Sequence, residues 1–218
     1  MTDSKCKICR RAGVKLFLKG ERCLSPKCAI VRNPTPPGPR GKRRRSALSE
    51  YGKELREKQE LKNWYNLTER QFGKYVRSIL EKHNAPVSKG KTAKTENAST
   101  ALIKKLELRL DNVVYRLGFS TSREQARQLV SHGHFLVNGK SVKIPFYELR
   151  LNDKIAVKPS SVKKAAFQNI LVFLKKHINP TWITFNPEKL EAEIIEMPTL
   201  EEASPPVEIP AIFEFYSR

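Results

Sequence analysis

The chain has 218 residues, of which 39% are hydrophobic, and its mean hydropathy is −0.53. Its 42 Lys and Arg against 22 Asp and Glu leave a formal charge of +20 and a pI of about 10.0. A surplus of that size repels itself unless a polyanion neutralises it, so nucleic acid is the first partner to consider and an anionic membrane surface the second. No run of about 18 apolar residues is present to span a bilayer.

The N-terminus, MTDSKCKIC, has neither an apolar signal core nor a serine- and arginine-rich transit segment. A reducing compartment is therefore expected, where a disulfide framework is disfavoured. All four cysteines fall in residues 6–28, with two residues between Cys6 and Cys9 and four between Cys23 and Cys28. Two closely spaced pairs without a signal peptide favour one tetrahedral zinc site over two disulfides. Thiols without metal, and another metal or a redox role, are the alternatives. All-cysteine ligation leaves no open position, so the role would be structural. A segment this short buries little core, and the metal would supply much of its folding energy. Lys5, Lys7, Arg10, Arg11, Arg22 and Lys27 would offset the negative charge of a four-thiolate site.

Residues 32–45, RNPTPPGPRGKRRR, are too proline-rich for helix and read as an extended arm ending in a basic block laid along phosphates, with a plain linker as the alternative. Residues 46–83 are rich in helix formers and predict two or three helices. Ser49 is a candidate cap, and Thr68 with Gln71 matches a capping box. Arg56, Lys58, Lys62, Arg70, Lys74 and Arg77 stand between the apolar positions. A solvated face with acidic partners such as Glu54–Lys58 is the competing account. His83 reads as a helix-end residue. Residues 88–99 and 199–210 read as polar connectors.

Residues 98–158 are the most informative. Leu106, Leu110, Val113, Val114 and Leu117 predict one apolar helical stripe, closed by Gly118. Thr121 and Glu124 predict a capping box for a second helix, closed by Gly133. FLV–NG–KSV predicts a hairpin with Asn138-Gly139 in a type I′ turn, and DKIAV a further strand. Arg109 and Arg116 are seven apart, Arg123 and Arg127 four apart, and all four are expected to point away from the stripe. Such a face suits folded RNA, which is recognised largely through shape and backbone. His132 and His134 flank Gly133, where a helix-end hydrogen bond competes with RNA contact. The charge falls along the chain: residues 1–97 carry 25 basic against 9 acidic side chains, residues 98–158 carry 11 against 5, and residues 159–218 carry 6 against 8. The polyanion contact is thus expected mainly in the first half.

LELRLDNVVYRLGFSTSREQARQLVSHGHFLVNGKSV resembles the RNA-binding module named after small-subunit ribosomal protein four. CKICRRAGVKLFLKGERC, KCAIVRNPTPPGPRGKRR, LSEYGKELREKQELKNWY and the terminal IFEFYSR extend the resemblance over nearly the whole chain, to the zinc-bearing form of the bacterial or organellar ribosomal protein four family. The resemblance implies an α+β fold. It comprises a zinc-binding N-terminal extension and basic arm over 1–45, a helical rRNA-binding domain over 46–97 with 199–218, and an inserted module of two to three helices on an antiparallel sheet over 98–198. IFEFYSR would be the closing strand.

It further implies a structural constituent of the small ribosomal subunit that binds 16S-type rRNA directly and nucleates assembly of the subunit body. With ribosomal proteins five and twelve it would support translational accuracy; it would contact protein five and help line the channel by which mRNA enters. Cys6, Cys9, Cys23 and Cys28 would hold one structural Zn2+. The candidate rRNA contacts are Arg10, Arg11, Lys15, Arg40, Lys42, Arg43, Arg44, Arg45, Lys53, Arg56, Lys58, Lys62, Arg70, Arg109, Arg116, Arg123, Arg127, His132 and Lys140. The expected location is the cytoplasm, within the small subunit, or the plastid stroma if the gene is organellar.

Residues 159–198 follow the family loosely. The stripe Phe167, Ile170, Leu171 and Leu174 predicts a longer helix there. An RNA-modifying enzyme with the same module would need a large catalytic domain and an active aspartate, and Asp3, Asp111 and Asp153 are the only aspartates. A stand-alone RNA chaperone would leave the cysteine segment and IFEFYSR unexplained. No phosphate-binding loop, dinucleotide fingerprint or nucleophile elbow is present, and the chain is read as a non-enzyme.

Overall fold

The structure is a computed structural model that describes residues 5–38, 47–84, 97–164, 167, 174 and 177–217. In chain order the elements are α1 (Lys5–Ala12), α2 (Glu21–Leu24), α3 (Ala29–Arg32), α4 (Glu50–Trp64), α5 (Glu69–Asn84), α6 (Ala98–Glu107), α7 (Leu110–Arg116), α8 (Arg123–Ser131), β1 (Phe135–Val137), β2 (Lys140–Ser141), β3 (Lys154–Val157), α9 (Pro159–Val162), β4 (Ile183–Asn186), β5 (Glu191–Ile194), α10 (Leu200–Ala203) and α11 (Ile209–Ser217). The chain divides into two units, Met1–Leu102 with Pro205–Arg218, and Ile103–Ser204.

In the first unit the caps form at the expected residues. Ser49 Oγ accepts the Gly52 N–H at 3.2 Å and opens α4. Thr68 Oγ1 accepts the Gln71 N–H while Gln71 Oε1 accepts the Thr68 N–H, both at 3.3 Å, the reciprocal pair of a capping box. Within the terminal IFEFYSR, residues 212–217 are helical where a strand was expected. Ile209, Ile212, Phe213 and Tyr216 recur at helical spacing, and both isoleucines are buried. This helix, α11, packs on α4 and α5. Tyr51 and Phe215 have ring centroids 5.5 Å apart, and Phe72 and Tyr216 6.2 Å.

Polar contacts fix that packing. Glu69 Oε1 accepts from Lys58 Nζ at 2.6 Å and from Tyr216 Oη at 2.9 Å, and Glu69 Oε2 accepts from Lys62 Nζ at 3.2 Å. Lys58 Nζ also lies 4.4 Å from the Phe215 ring centroid, within cation–π range.

In the second unit the expected hairpin is present. Asn138 and Gly139 both take positive φ, 48° and 78°, as a type I′ turn requires. The sheet is antiparallel throughout, in the order β2-β1-β3-β5-β4. Ile155, Val157, Ala192 and Ile194 are buried on alternate positions of β3 and β5, the period-two pattern of a sheet with one covered face. Helices α7 and α8 pack on each other. Phe119 contacts Phe135, Phe167 and Phe185 in edge-on geometry at the centre of the core.

Several expectations are corrected. The Leu106–Leu117 stripe is not one helix: the chain turns at Leu108 and Arg109 between α6 and α7, although Leu106, Leu110, Val113, Val114 and Leu117 are all fully buried. The cap of α8 is Ser122, whose hydroxyl accepts the Gln125 N–H, rather than Thr121. Strands β4 and β5 extend the sheet from residues 159–198, where only a longer helix was predicted. The connector after Thr199 contains α10, opened by a complete Thr199–Glu202 capping box. Phe167 and Leu174 are helical and buried, while Ile170 and Leu171 lie outside the described residues. Gly118, at φ 81°, closes α7 as expected, and a Cβ there would come within 2.8 Å of the His177 ring.

Burial raises the Glu69 carboxyl, but the hydrogen bonds from Lys58, Tyr216 and Lys62 outweigh it and hold it below the usual carboxylate value of 4.5. A carboxyl whose folded value is depressed contributes stability that is complete above its unfolded value and is lost as pH falls through the folded one. Glu69→Gln is therefore expected to lower the thermal midpoint at pH 7, and the gap from wild type to close as pH drops below about 4.5. Melts at pH 7 and pH 3 measure this; a gap of equal size at both would mean that the charge of Glu69 is not what holds α11.

Candidate nucleic-acid interface

The cysteine segment folds as three short helices. Cys6 and Cys9 lie in α1, Cys23 in α2, and Cys28 caps α3. Gly13 and Gly20, both at positive φ, turn the chain between the pairs. Cys9, Cys23 and Cys28 are buried at 8% exposure each, and Cys6 is half-buried. Burial pushes the Cys9 thiol up, the Leu16 backbone N–H draws it down, and Cys23, Cys6 and Cys28 add smaller upward pushes. Cys23 Sγ accepts the Lys19 N–H at 3.4 Å. Soft sulfur donors with backbone N–H groups directed at them fit a thiophilic dication in chemical kind. Among the described residues no group of three or more His, Cys, Asp or Glu is drawn to metal-binding spacing.

The four arginines of the RNA module do not make one exposed face. Arg109, 2% exposed, caps α7 and forms a bidentate pair with Asp111 at 3.0 and 2.7 Å. Arg116 reaches the carboxylate of Glu107 with two hydrogen bonds, at 2.9 and 2.8 Å, and the Ala203 carbonyl at 3.0 Å. Glu107 is 1% exposed and also accepts from Asn112 Nδ2 at 2.6 Å. Asn112 Oδ1 in turn accepts from Arg123 Nε at 2.8 Å, and the Arg123 guanidinium lies 4.5 Å from the Tyr115 ring centroid. Arg123 is 8% exposed. Arg127 is half-buried, and His132 and Lys140 are exposed. His134 is buried and hydrogen-bonds through Nδ1 with Ser161 Oγ at 2.9 Å.

The first unit divides its cations similarly. Lys58, buried at 5% exposure, and the half-buried Lys62 are held by Glu69. Arg10 donates to the Thr35 and Pro36 carbonyls at 2.7 and 3.3 Å and ties down the start of the proline-rich arm. Arg56 bridges Glu60 and the Ala12 carbonyl at 2.8 and 2.6 Å. Arg11, Lys53 and Arg70 are exposed and Lys15 is half-buried. Arg40, Lys42, Arg43, Arg44 and Arg45 lie outside the described residues.

A 570 Å3 cleft runs along α5. Arg70, Lys74 and Arg77, at i, i+4 and i+7 and all exposed, line it together with Glu69, Gly73, Ser78, Glu81 and Tyr216, three cations against two carboxylates. Lys74 and Arg77 are absent from the sequence-derived contact set. The spacing from Arg70 was the available signal, but spacing alone does not separate a phosphate-binding stripe from a solvated face.

Two families match the chain. Residues 1–106 match the ribosomal protein S4/S9 N-terminal domain and residues 108–155 match the S4 domain. The chain thus joins an S4 domain to a ribosomal S4/S9-type N-terminal domain, which marks it as an S4-domain protein. The relatives extend the match to the whole chain. Among them are the small ribosomal subunit protein uS4 of Halothermothrix orenii, 48% identical over 98% of this chain and 96% of the relative, and that of Thermotoga maritima, 45% identical over 100% and 98%. The uS4 protein of Thermus thermophilus is 44% identical over 98% and 96%. The chain belongs to the uS4 family of small ribosomal subunit proteins, a structural family and not one of enzymes. Because the match runs end to end, no part of the chain is left over for the catalytic domain that an RNA-modifying enzyme would need.

Charge reversal at Arg116 tests the buried network. Arg116→Glu would set a half-buried carboxylate against the buried Glu107, and breaking a buried pair costs at most about 3–5 kcal/mol. A urea melt is expected to show that loss. An unchanged midpoint would return Arg116 to the surface as a simple RNA contact.

Proposed function

We propose that this chain is a structural constituent of the small ribosomal subunit that binds 16S-type rRNA directly and nucleates folding of the subunit body around it. The observation that carries this reading is end-to-end identity with uS4 proteins, joined to a +20 chain whose exposed α5 stripe borders a groove. The phosphate contacts are assigned to exposed cations: Arg70, Lys74 and Arg77 on α5, Arg11 and Lys53, and Lys140 at the hairpin tip. The basic block Arg40, Lys42, Arg43, Arg44 and Arg45 supplies further contacts. Arg109, Arg116 and Arg123 act from inside, holding the module in the shape that RNA recognises. Lys58 does the same for α4, α5 and α11.

The finer assignments rest on the family resemblance. The protein contacts ribosomal protein five, supports decoding accuracy with proteins five and twelve, and borders the path by which mRNA enters. It works within ribosomes of a bacterial or plastid type. Cys6, Cys9, Cys23 and Cys28 hold one structural zinc, which supplies charge neutralisation and a crosslink among α1, α2 and α3.

Binding through many phosphates releases counterions, so affinity should fall with salt by about 0.7 to 0.9 log units per log unit for each contact. Filter binding of full-length protein to small-subunit rRNA is expected to show a steep slope, and the triple variant Arg70→Ala, Lys74→Ala, Arg77→Ala a slope reduced by about 2 to 3. A flat response in the wild type would end the rRNA-binding reading. For the metal, elemental analysis is expected to find about one zinc per chain, with chelation exposing the N-terminal segment to protease. A metal-free chain with an equally resistant segment would remove zinc from the account.

A further inference from the structure

The loop between β2 and β3 exposes apolar side chains that nothing so far explains. Ile144, Phe146, Tyr147 and Leu151 are 48%, 56%, 38% and 44% exposed. Singly exposed apolar residues are ordinary, but four within eight positions are a patch, and such patches mark contact sites.

The loop is also pinned. The first N–H groups of α7 donate into it, Leu110 to the Tyr147 carbonyl at 2.9 Å and Asp111 to the Pro145 carbonyl at 3.0 Å. Leu149 N–H returns to the Leu108 carbonyl at 2.9 Å, and Tyr147 N–H closes a turn on the Ile144 carbonyl at 3.2 Å. Arg109 and Glu148 form a β-bridge at the same place, above the Arg109–Asp111 pair. The two rings are therefore held out by a backbone that has already lost its freedom, so a ligand would not have to order the loop on binding.

Their neighbours indicate the ligand. Lys143 and Arg150 precede and follow the rings in sequence and are exposed, with the Lys143 stem lying against Gly133, and Lys140 and Lys154 lie at the strand ends beyond. Of the two carboxylates in this stretch, Asp153 is engaged by Asn138 Nδ2 at 2.8 Å and the Arg150 N–H at 2.7 Å, and Glu148 is exposed. Aromatic faces between cations form the surface that binds unpaired bases, which stack on the ring while the phosphates meet the charge. A protein partner would have to bring an acidic, apolar face to the same place.

We propose that Phe146 and Tyr147 form a stacking platform for unpaired nucleotides of the RNA bound by this module. The proposal rests on the rRNA-binding reading and adds to it a contact that does not depend on charge. Stacking on one ring is lost on truncation, so Phe146→Ala in the full chain is expected to weaken small-subunit rRNA binding about ten-fold. The salt slope should stay unchanged, because no phosphate contact is removed. Phe146→Leu, which keeps apolar bulk without a π face, should lose most of the same affinity. Phe146→Trp should bind with quenched fluorescence. Circular dichroism of each variant should match wild type, since the ring lies outside the core.

Three results would overturn the proposal while leaving the rRNA reading intact. One is a Phe146→Ala variant with wild-type affinity where the α5 triple variant loses binding. A second is full rescue by Phe146→Leu. The third is normal affinity for naked rRNA with loss of retention only in reconstituted subunits, which would assign the loop to a protein neighbour. If the wild-type chain fails to bind rRNA at all, the parent reading falls first.

Discussion

A buried carboxylate organises the cationic module. Glu107 sits at the end of α6 with its side chain almost wholly out of water, and such a charge is stable only if opposite charge and hydrogen-bond donors close around it. Arg116 from the end of α7 and Asn112 from its middle supply both, and Asn112 passes the constraint to Arg123 at the start of α8. One acidic side chain thereby fixes three successive helices relative to one another. The net energy of such a network relative to an apolar core is small or even unfavourable, so specificity of arrangement is the better reason for it. The surface of the module inherits its shape from that arrangement.

This divides the basic side chains into two populations with different physics. Those held in the buried Arg109, Arg123 and Lys58 contacts, and the half-buried Arg116, are weakly screened by salt and contribute to shape. Those outside, on α5 and at the hairpin tip, sit at high dielectric, and under the proposed function they supply the salt-dependent affinity. The formal +20 is what remains of 42 cations after 22 carboxylates are subtracted, so internal pairing does not lower it; pairing decides which of the 42 stay open to a polyanion.

What the sequence revealed was the local chemistry. Asn138-Gly139, Ser49 and the Thr68–Gln71 pair each determine their own backbone within a few residues, and each forms where its side chains require. The fate of Arg109 and Arg116 was not legible, because a seven-residue spacing places them on one face only if the helix between them is continuous. The break at Leu108 and Arg109 depends on backbone pairing with Tyr147 and Pro145, nearly forty residues on. The same holds for β4 and β5, short strands whose register is set by β3 rather than by their own pattern. IFEFYSR, rich in aromatic and β-branched residues, has the composition of a strand and the spacing of a helix. Packing against α4 and α5 decides in favour of spacing, since only a helix puts Ile209, Ile212, Phe213 and Tyr216 on one side.

The same tertiary pairing that misled the arginine reading creates the exposed ring pair. Backbone carbonyls of Pro145 and Tyr147 are spent on the N-terminus of α7, where N–H groups would otherwise lack partners, and this fixes the loop with its side chains turned to solvent. A loop used only to satisfy those donors could carry any small polar residues. Placing Ile144, Phe146 and Tyr147 there exposes apolar surface in the free chain and invites association, a cost that a purely structural loop has no reason to bear. Under the stacking proposal these rings are covered when RNA binds, and the cations next to them in sequence favour a base over an apolar protein face.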